Sequence, residues 1–215
     1  MVDRRASTKD LPTRRRILNH FQERDPKIAR VIQGIGPFRL KRNRNYFVVL
    51  CKSIVSQQIS TAAADTIYTR FQNLFDGRVP TPERLAGLKD APLRAAGLSR
   101  QKSAYLKDLS HRFLDGTVRP HQLNYLDNEE IVDRLTLVHG IGRWTAEMFM
   151  IFSLNRLNVL PVDDLGLRVA VQNIYGMKAR PDAKRLLSLG KKWNPLETVA
   201  TWYAWRSLNA DIVNY

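Results

Sequence analysis

Apolar residues recur along this chain three and four positions apart, the spacing that lines one face of an α-helix. Strand-type alternation is scarce. The pattern predicts helices over 17–24 and 26–33, divided at Asp25-Pro26, and a strongly apolar helix over 46–55. A polar break at Ser56-Gln57-Gln58 interrupts it, and helical periodicity resumes over 61–75. Thr81-Pro82-Glu83 combines a capping residue with proline at a first helical position. Further helices are expected over 99–113, 128–135, 143–154, 164–175, 182–189 and 195–208. There is no repeat and no low-complexity segment. The expectation is an all-α protein of many short helices and short loops. No linker is visible, so two lobes, if present, are interleaved in sequence.

One junction between predicted helices is unusual. Leu137-Val138-His139-Gly140-Ile141-Gly142-Arg143-Trp144-Thr145-Ala146 reads as a tight turn, with Gly140 and Gly142 flanking the single apolar Ile141. The glycines permit close backbone approach, and Ile141 can plug the space between the two arms. The bare N–H groups at the start of the second helix suit a phosphate. Such a contact carries no sequence information. A lone Gly-x-Gly turn is otherwise an ordinary helical hairpin. Here it is followed by Leu160-Pro161-Val162-Asp163-Asp164-Leu165, which sets a carboxylate at the start of the next helix. Aspartate there is a helix cap. The same position keeps a carboxylate ionised, able to stabilise a cationic transition state or to orient water. Either Asp163 or Asp164 can be the cap, and spacing alone does not choose.

Charge sharpens the picture. Lys plus Arg number 35 against 20 acids, a formal net charge of +15. That excess favours nucleic acid, where each neutralised phosphate releases counterions. An anionic membrane surface is the rival, but no basic amphipathic segment stands out and no run of about 18 apolar residues exists to span a bilayer. Apolar residues make up 44% of the chain, enough to bury a core. Cys51 is the single cysteine, which excludes a disulfide framework and a four-cysteine iron–sulfur cluster. Residues 1–16 are polar and Arg-rich without an apolar stretch, so they read as a solvated tail rather than a secretory signal, in a reducing, intracellular protein. His20, His111, His121 and His139 lack metal-ligand spacing.

The hairpin, the Pro161-Val162-Asp163-Asp164 loop, the Ser53-Ile54-Val55-Ser56-Gln57-Gln58-Ile59-Ser60 stretch and the late Trp202-Tyr203-Ala204-Trp205-Arg206 come in an order that resembles the helix-hairpin-helix DNA glycosylases. The Gly-Ile-Gly-Arg-Trp-Thr-Ala form is similar to the branch acting on 3-methyladenine. The likeness runs over about 46–208. The segment before Tyr46 looks too short for the β domain of larger members, so the resemblance is to compact, all-helical ones. It implies two interleaved helical lobes with the active-site cleft between them, one from about 1–45 with 155–215, the other from about 46–154 including the hairpin at 129–153. It implies release of alkylated bases from double-stranded DNA by a monomer without a required cofactor, in the cytoplasm beside the nucleoid of a bacterium or in a eukaryotic nucleus.

Residue by residue, the resemblance makes Asp164 the catalytic acid. Strand-cleaving relatives carry lysine two positions after the second hairpin glycine; here that place is Trp144, implying water as the nucleophile and no Schiff base. Gln58 matches the tip that fills the hole left by a flipped base. Gln57, His139, Gly140, Ile141, Gly142 and Thr145 complete the implied DNA contacts. Trp144, Met148, Trp205 and Tyr203 are the implied base pocket, where indole faces attract an electron-poor cationic purine by roughly 0.5–2 kcal/mol per contact. Met148 replaces an aromatic residue of some relatives. The carbonyls of Thr136, Val138 and Ile141 are the implied ligands of a structural Na+ or K+. Two rivals remain: a glycosylase for an oxidised or mispaired base, and a non-catalytic DNA-binding hairpin.

Overall fold

The computed structural model describes residues 11–208. Its described residues form helices and no strand: α1 (Arg14–Arg24), α2 (Pro26–Gly34), α3 (Tyr46–Ser56), α4 (Thr61–Asn73), α5 (Pro82–Gly87), α6 (Asp90–Ala95), α7 (Arg100–Leu114), α8 (Asn128–Thr136), α9 (Arg143–Phe152), α10 (Leu165–Tyr175), α11 (Ala183–Trp193) and α12 (Glu197–Leu208). None is long and apolar enough to cross a membrane. The expected helices are present, with ends moved by a few residues. The tail read over 1–16 is shorter than expected where it is described: Thr13 caps Arg16, so Arg14 to Arg16 already belong to α1. The remainder of that reading, 1–10, lies outside the described residues. α6 was not predicted; six residues are too few to show a helical period.

The chain forms two compact units. One combines the stretch ending at Arg42 with the stretch from Met150; the other is Asn43–Phe149. In the first, α12 lies against α2 and α10, and α11 against α1 and α12. Ile17, Phe21, Ile28, Ile32, Leu167, Val171, Trp193 and Val199 fill its core. α12 is buried from Thr198 through Trp205, on every side, which no amphipathic pattern could announce. A buried carboxylate ties three helices. Asp25 caps α2 through Ile28 N–H at 3.4 Å and accepts bonds from Trp193 Nε1 at 3.0 Å and the Tyr175 hydroxyl. Burial pushes the Tyr175 phenol well above its usual range, so it stays a donor. Within the same unit Thr198 anchors the 156–159 loop: its hydroxyl donates to Arg156 O at 2.7 Å and accepts from Val159 N–H at 3.0 Å. That loop leads directly into the Asp163-Asp164 turn.

In the second unit α7 is the central pillar, packed by α3, α5 and α6, with α4 on α3. Leu50, Ile54, Phe71, Leu85, Leu106, Leu109, Ile131 and Leu135 form its core. α8 opens with a full capping box, Asp127 and Glu130 each serving the other's backbone. α8 and the first turns of α9 are the two arms of the glycine hairpin.

Candidate active site and nucleic-acid interface

Asp164 is the N-cap of α10. Its Oδ1 accepts Leu167 N–H at 2.6 Å and Trp205 Nε1–H at 2.8 Å, and the residue is 9% exposed. The sequence left the cap open between the two aspartates; the structure gives it to Asp164. Asp163 points outward and pairs with Arg168 at 3.1 Å, while Arg168 Nε holds Val162 O at 2.8 Å. Arg168 thus clamps the loop that carries Asp164. Trp205 has its ring on Phe152, with centroids 6.0 Å apart and planes 15° apart. One ring face and the N–H are therefore committed, and Trp205 braces the carboxylate. Gly166 completes the arrangement. A Cβ there would stand 3.2 Å from Asp164 Oδ1 and 3.5 Å from the Trp205 ring.

Tyr203, implied as a pocket wall, is fully buried in the core of the same unit. It packs near Phe38 and Trp202, and its hydroxyl donates to Gly36 O at 3.1 Å. Trp144 stands in the first turn of α9 with 39% of its surface exposed; Met148, one turn on, is buried.

The hairpin belongs to the second unit. Gly140 sits at φ +84, and a Cβ there would run into the Tyr105 ring of α7. Only glycine fits both demands. Gly142 differs: a Cβ there would meet nothing within 4 Å. Ile141 is buried as a plug, and its N–H closes a turn on Val138 O at 3.0 Å. His139 gives both its N–H (2.7 Å) and its ring Nδ1 (3.0 Å) to Asp108 of α7. The amides of His139 and Ile141 are therefore spent inside the protein. Gly142, Arg143 and Trp144, at the start of α9, are exposed. Thr145 is buried. Arg143 is held bidentately by Glu129 across the two arms, at 3.0 and 2.6 Å, and this guanidinium keeps the Glu129 carboxyl below its usual range.

Gln58 is the tip of the loop after α3. It is exposed and sits at φ +56, a left-handed conformation uncommon outside glycine. Gln57 does not point outward; its Nε2 donates to Gly140 O at 2.7 Å. Lys102 of α7 donates to Val55 O and Gln57 O, both at 2.7 Å, and burial lowers its ammonium pKa.

Among the described residues no group of three or more His, Cys, Asp or Glu could hold a metal. Of the implied cation ligands, Thr136 closes α8, where the last helix carbonyls lack intrahelical donors, Val138 O accepts the Ile141 N–H at 3.0 Å, and Ile141 lies two residues before α9. An oxygen-only set of this kind suits a hard monovalent cation.

Sequence reasoning missed Arg168, Gly166, Asp108 and Lys102. Gly166 carried a signal, since glycine in the first turn of an otherwise good helix asks for a reason. The other three are single cations and a carboxylate on helix faces that look solvated.

A family model described as HhH-GPD superfamily base excision DNA repair protein matches residues 51–195. DNA-3-methyladenine glycosylase 1 of Schizosaccharomyces pombe is 33% identical over 193 residues, covering 87% of this chain and 85% of its own length. The crystal structure of a DNA-3-methyladenine glycosidase from Bacillus halodurans superposes with a TM-score of 0.84 at 35% identity, covering 97% of this chain and 94% of that one. The S. pombe 3-methyladenine DNA glycosylase in complex with abasic DNA gives 0.78 at 32% identity, covering 92% and 99%.

Proposed function

The chain belongs to the HhH-GPD superfamily of base excision DNA repair proteins, and from that membership we propose that it hydrolyses the N-glycosidic bond of alkylated, 3-methyladenine-type bases in double-stranded DNA. The observation that carries the reading is the Asp164 carboxylate, capping α10 and bridged to Trp205. Two N–H donors on one oxygen fix the orientation of the carboxylate. An ionised carboxylate beside the sugar stabilises the positive charge that develops at C1′ as the base departs. Water then adds to C1′, one of its protons is released, and an abasic sugar remains. An alkylated purine already carries positive charge and leaves without prior protonation.

The glycine backbone at 140–142 and the first turn of α9 grip a phosphate, Gln58 fills the gap in the stack, and the Trp144 indole face attracts the cationic base with Met148 beside it. Tyr203 serves the core. A Na+ or K+ held by the Thr136, Val138 and Ile141 carbonyls would add positive charge toward that phosphate. With Trp144 at the place where strand-cleaving relatives have lysine, that position offers no amine to form an imine.

The test is base release. Incubation with DNA bearing 3-methyladenine, 7-methylguanine, 1-methyladenine, hypoxanthine and 8-oxoguanine should free the alkylated bases and leave intact abasic strands. Borohydride should trap no protein–DNA adduct. Release of 8-oxoguanine alone would favour the rival glycosylase, and no release of any base would favour a non-catalytic DNA-binding hairpin.

A further inference from the structure

The Gln58 tip is not free-standing. Its left-handed φ of +56 is a conformation that persists only where the surroundings over-determine it. Two side chains do so here. Lys102 reaches from α7 and donates to two carbonyls just before Gln58, Val55 O in the last turn of α3 and Gln57 O at its C-cap, each at 2.7 Å. It therefore satisfies the C-terminal carbonyls of α3 and fixes the peptide immediately before Gln58. Gln57 spends its amide on Gly140 O at 2.7 Å, in the hairpin itself. Gly140 in turn rests on the Tyr105 ring, one helical turn along α7 from Lys102. All four groups lie within the 43–149 unit and converge on α7. The loop that carries Gln58 and the glycine hairpin are hydrogen-bonded to each other through Gln57, and each is hydrogen-bonded to α7.

We propose that Lys102 and Gln57 are positioning residues for base flipping: they preset the Gln58 tip and hold it in register with the phosphate-gripping hairpin. Flipping requires the tip to enter the stack at a fixed distance from the gripped phosphate. A tip that had to be ordered during insertion would lose part of its contact energy to that ordering. This inference rests on the reading of Gln58 as the element that fills the stack.

The experiment compares excision of 3-methyladenine or 1-methyladenine from duplex and from single-stranded DNA, with 2-aminopurine fluorescence beside the lesion reporting flipping. A hydrogen bond to a charged group is worth enough for Lys102→Met to lower the duplex-to-single-strand ratio by about tenfold or more. Lys102→Arg, which keeps donors for both carbonyls, should retain most of the ratio. Gln57→Met, nearly isosteric but without a donor, should lower it as well. The double variant should lose less than the product of the two single losses, because both act through Gln58. Should Lys102→Met fail to fold, Gln57→Met carries the same comparison, since it leaves the α3 cap in place. A lowered melting temperature with an unchanged ratio and unchanged 2-aminopurine signal would overturn the proposal and leave Lys102 as a helix cap alone. Gln58→Ala separates the two ideas: an unchanged ratio in that variant sinks the reading of the tip itself, whereas a fall there with none at Lys102 or Gln57 sinks only the positioning role.

Discussion

One oxygen of Asp164 accepts two N–H groups, and this lets its chemical role be separated from its structural one. Asparagine is about as good a helix cap as aspartate. Asp164→Asn should therefore melt close to the parent while losing on the order of 10²–10³-fold in base release, because a neutral amide cannot offset a developing cation. Binding to abasic DNA should persist. Asp163→Asn should change neither by much; its exposed pair with Arg168 is worth less than about 1 kcal/mol. A parent-like turnover in Asp164→Asn, measured beside its melting curve, would remove the residue from the mechanism. Gly166 offers a second separation. Alanine there improves helix propensity by up to about 1 kcal/mol, so Gly166→Ala should melt no lower than the parent. Its Cβ, 3.2 Å from Oδ1, must push the carboxylate or Trp205 by a few tenths of an ångström, and turnover should drop by about tenfold. Activity retained at the higher melting temperature would mean that the carboxylate has slack. The sequence showed that an acid stood at this helix start. It did not show which of two adjacent aspartates faced inward, because that depends on Trp205, 41 positions away, and on the clamp from Arg168.

In the hairpin, the two glycines look equivalent in sequence and are not. Gly140 needs its positive φ and has the Tyr105 ring where a side chain would go. Gly142 has open space. Gly140→Ala should distort the turn, lower the melting temperature and weaken DNA binding together. Gly142→Val should leave the melting temperature almost unchanged and still weaken binding, because its Cβ would obstruct an approaching phosphate rather than the protein. Circular dichroism melts beside binding isotherms on the same two variants decide this; equal thermal losses would refute the asymmetry. Helix positions were legible because 3.6-residue periodicity and local caps such as Thr81, Asp127 and Asp182 are short-range signals. α6 was not legible, being shorter than the window in which a period shows. The roles of Asp108, Lys102 and Gln57 were not legible either. Each acts by a hydrogen bond to backbone more than 30 residues away, and a backbone acceptor leaves no mark on the sequence.

Taken whole, the molecule is strongly cationic, and its formal charge of +15 bears on how it meets DNA rather than on how it folds. If the hairpin backbone and surface cations contact phosphates as proposed, those contacts carry no base information, so affinity for undamaged and damaged duplex should differ much less than the rates of excision do. Both affinities should fall linearly on a plot of log K against log salt, with a slope of about 0.9 per phosphate neutralised. Gly142→Val should lower both lines by a similar amount, since it disturbs a contact common to every sequence. Gln58→Ala should act differently. It should leave the line for undamaged duplex in place and lower the one for duplex carrying a flipped or abasic site, because in the proposed role the tip occupies the stack only there. Fluorescence anisotropy of parent, Gly142→Val and Gln58→Ala on the two duplexes across a salt series measures all six lines. A salt-insensitive affinity would contradict the phosphate grip. A Gln58→Ala loss equal on both duplexes would mean that the tip contacts backbone rather than filling a gap.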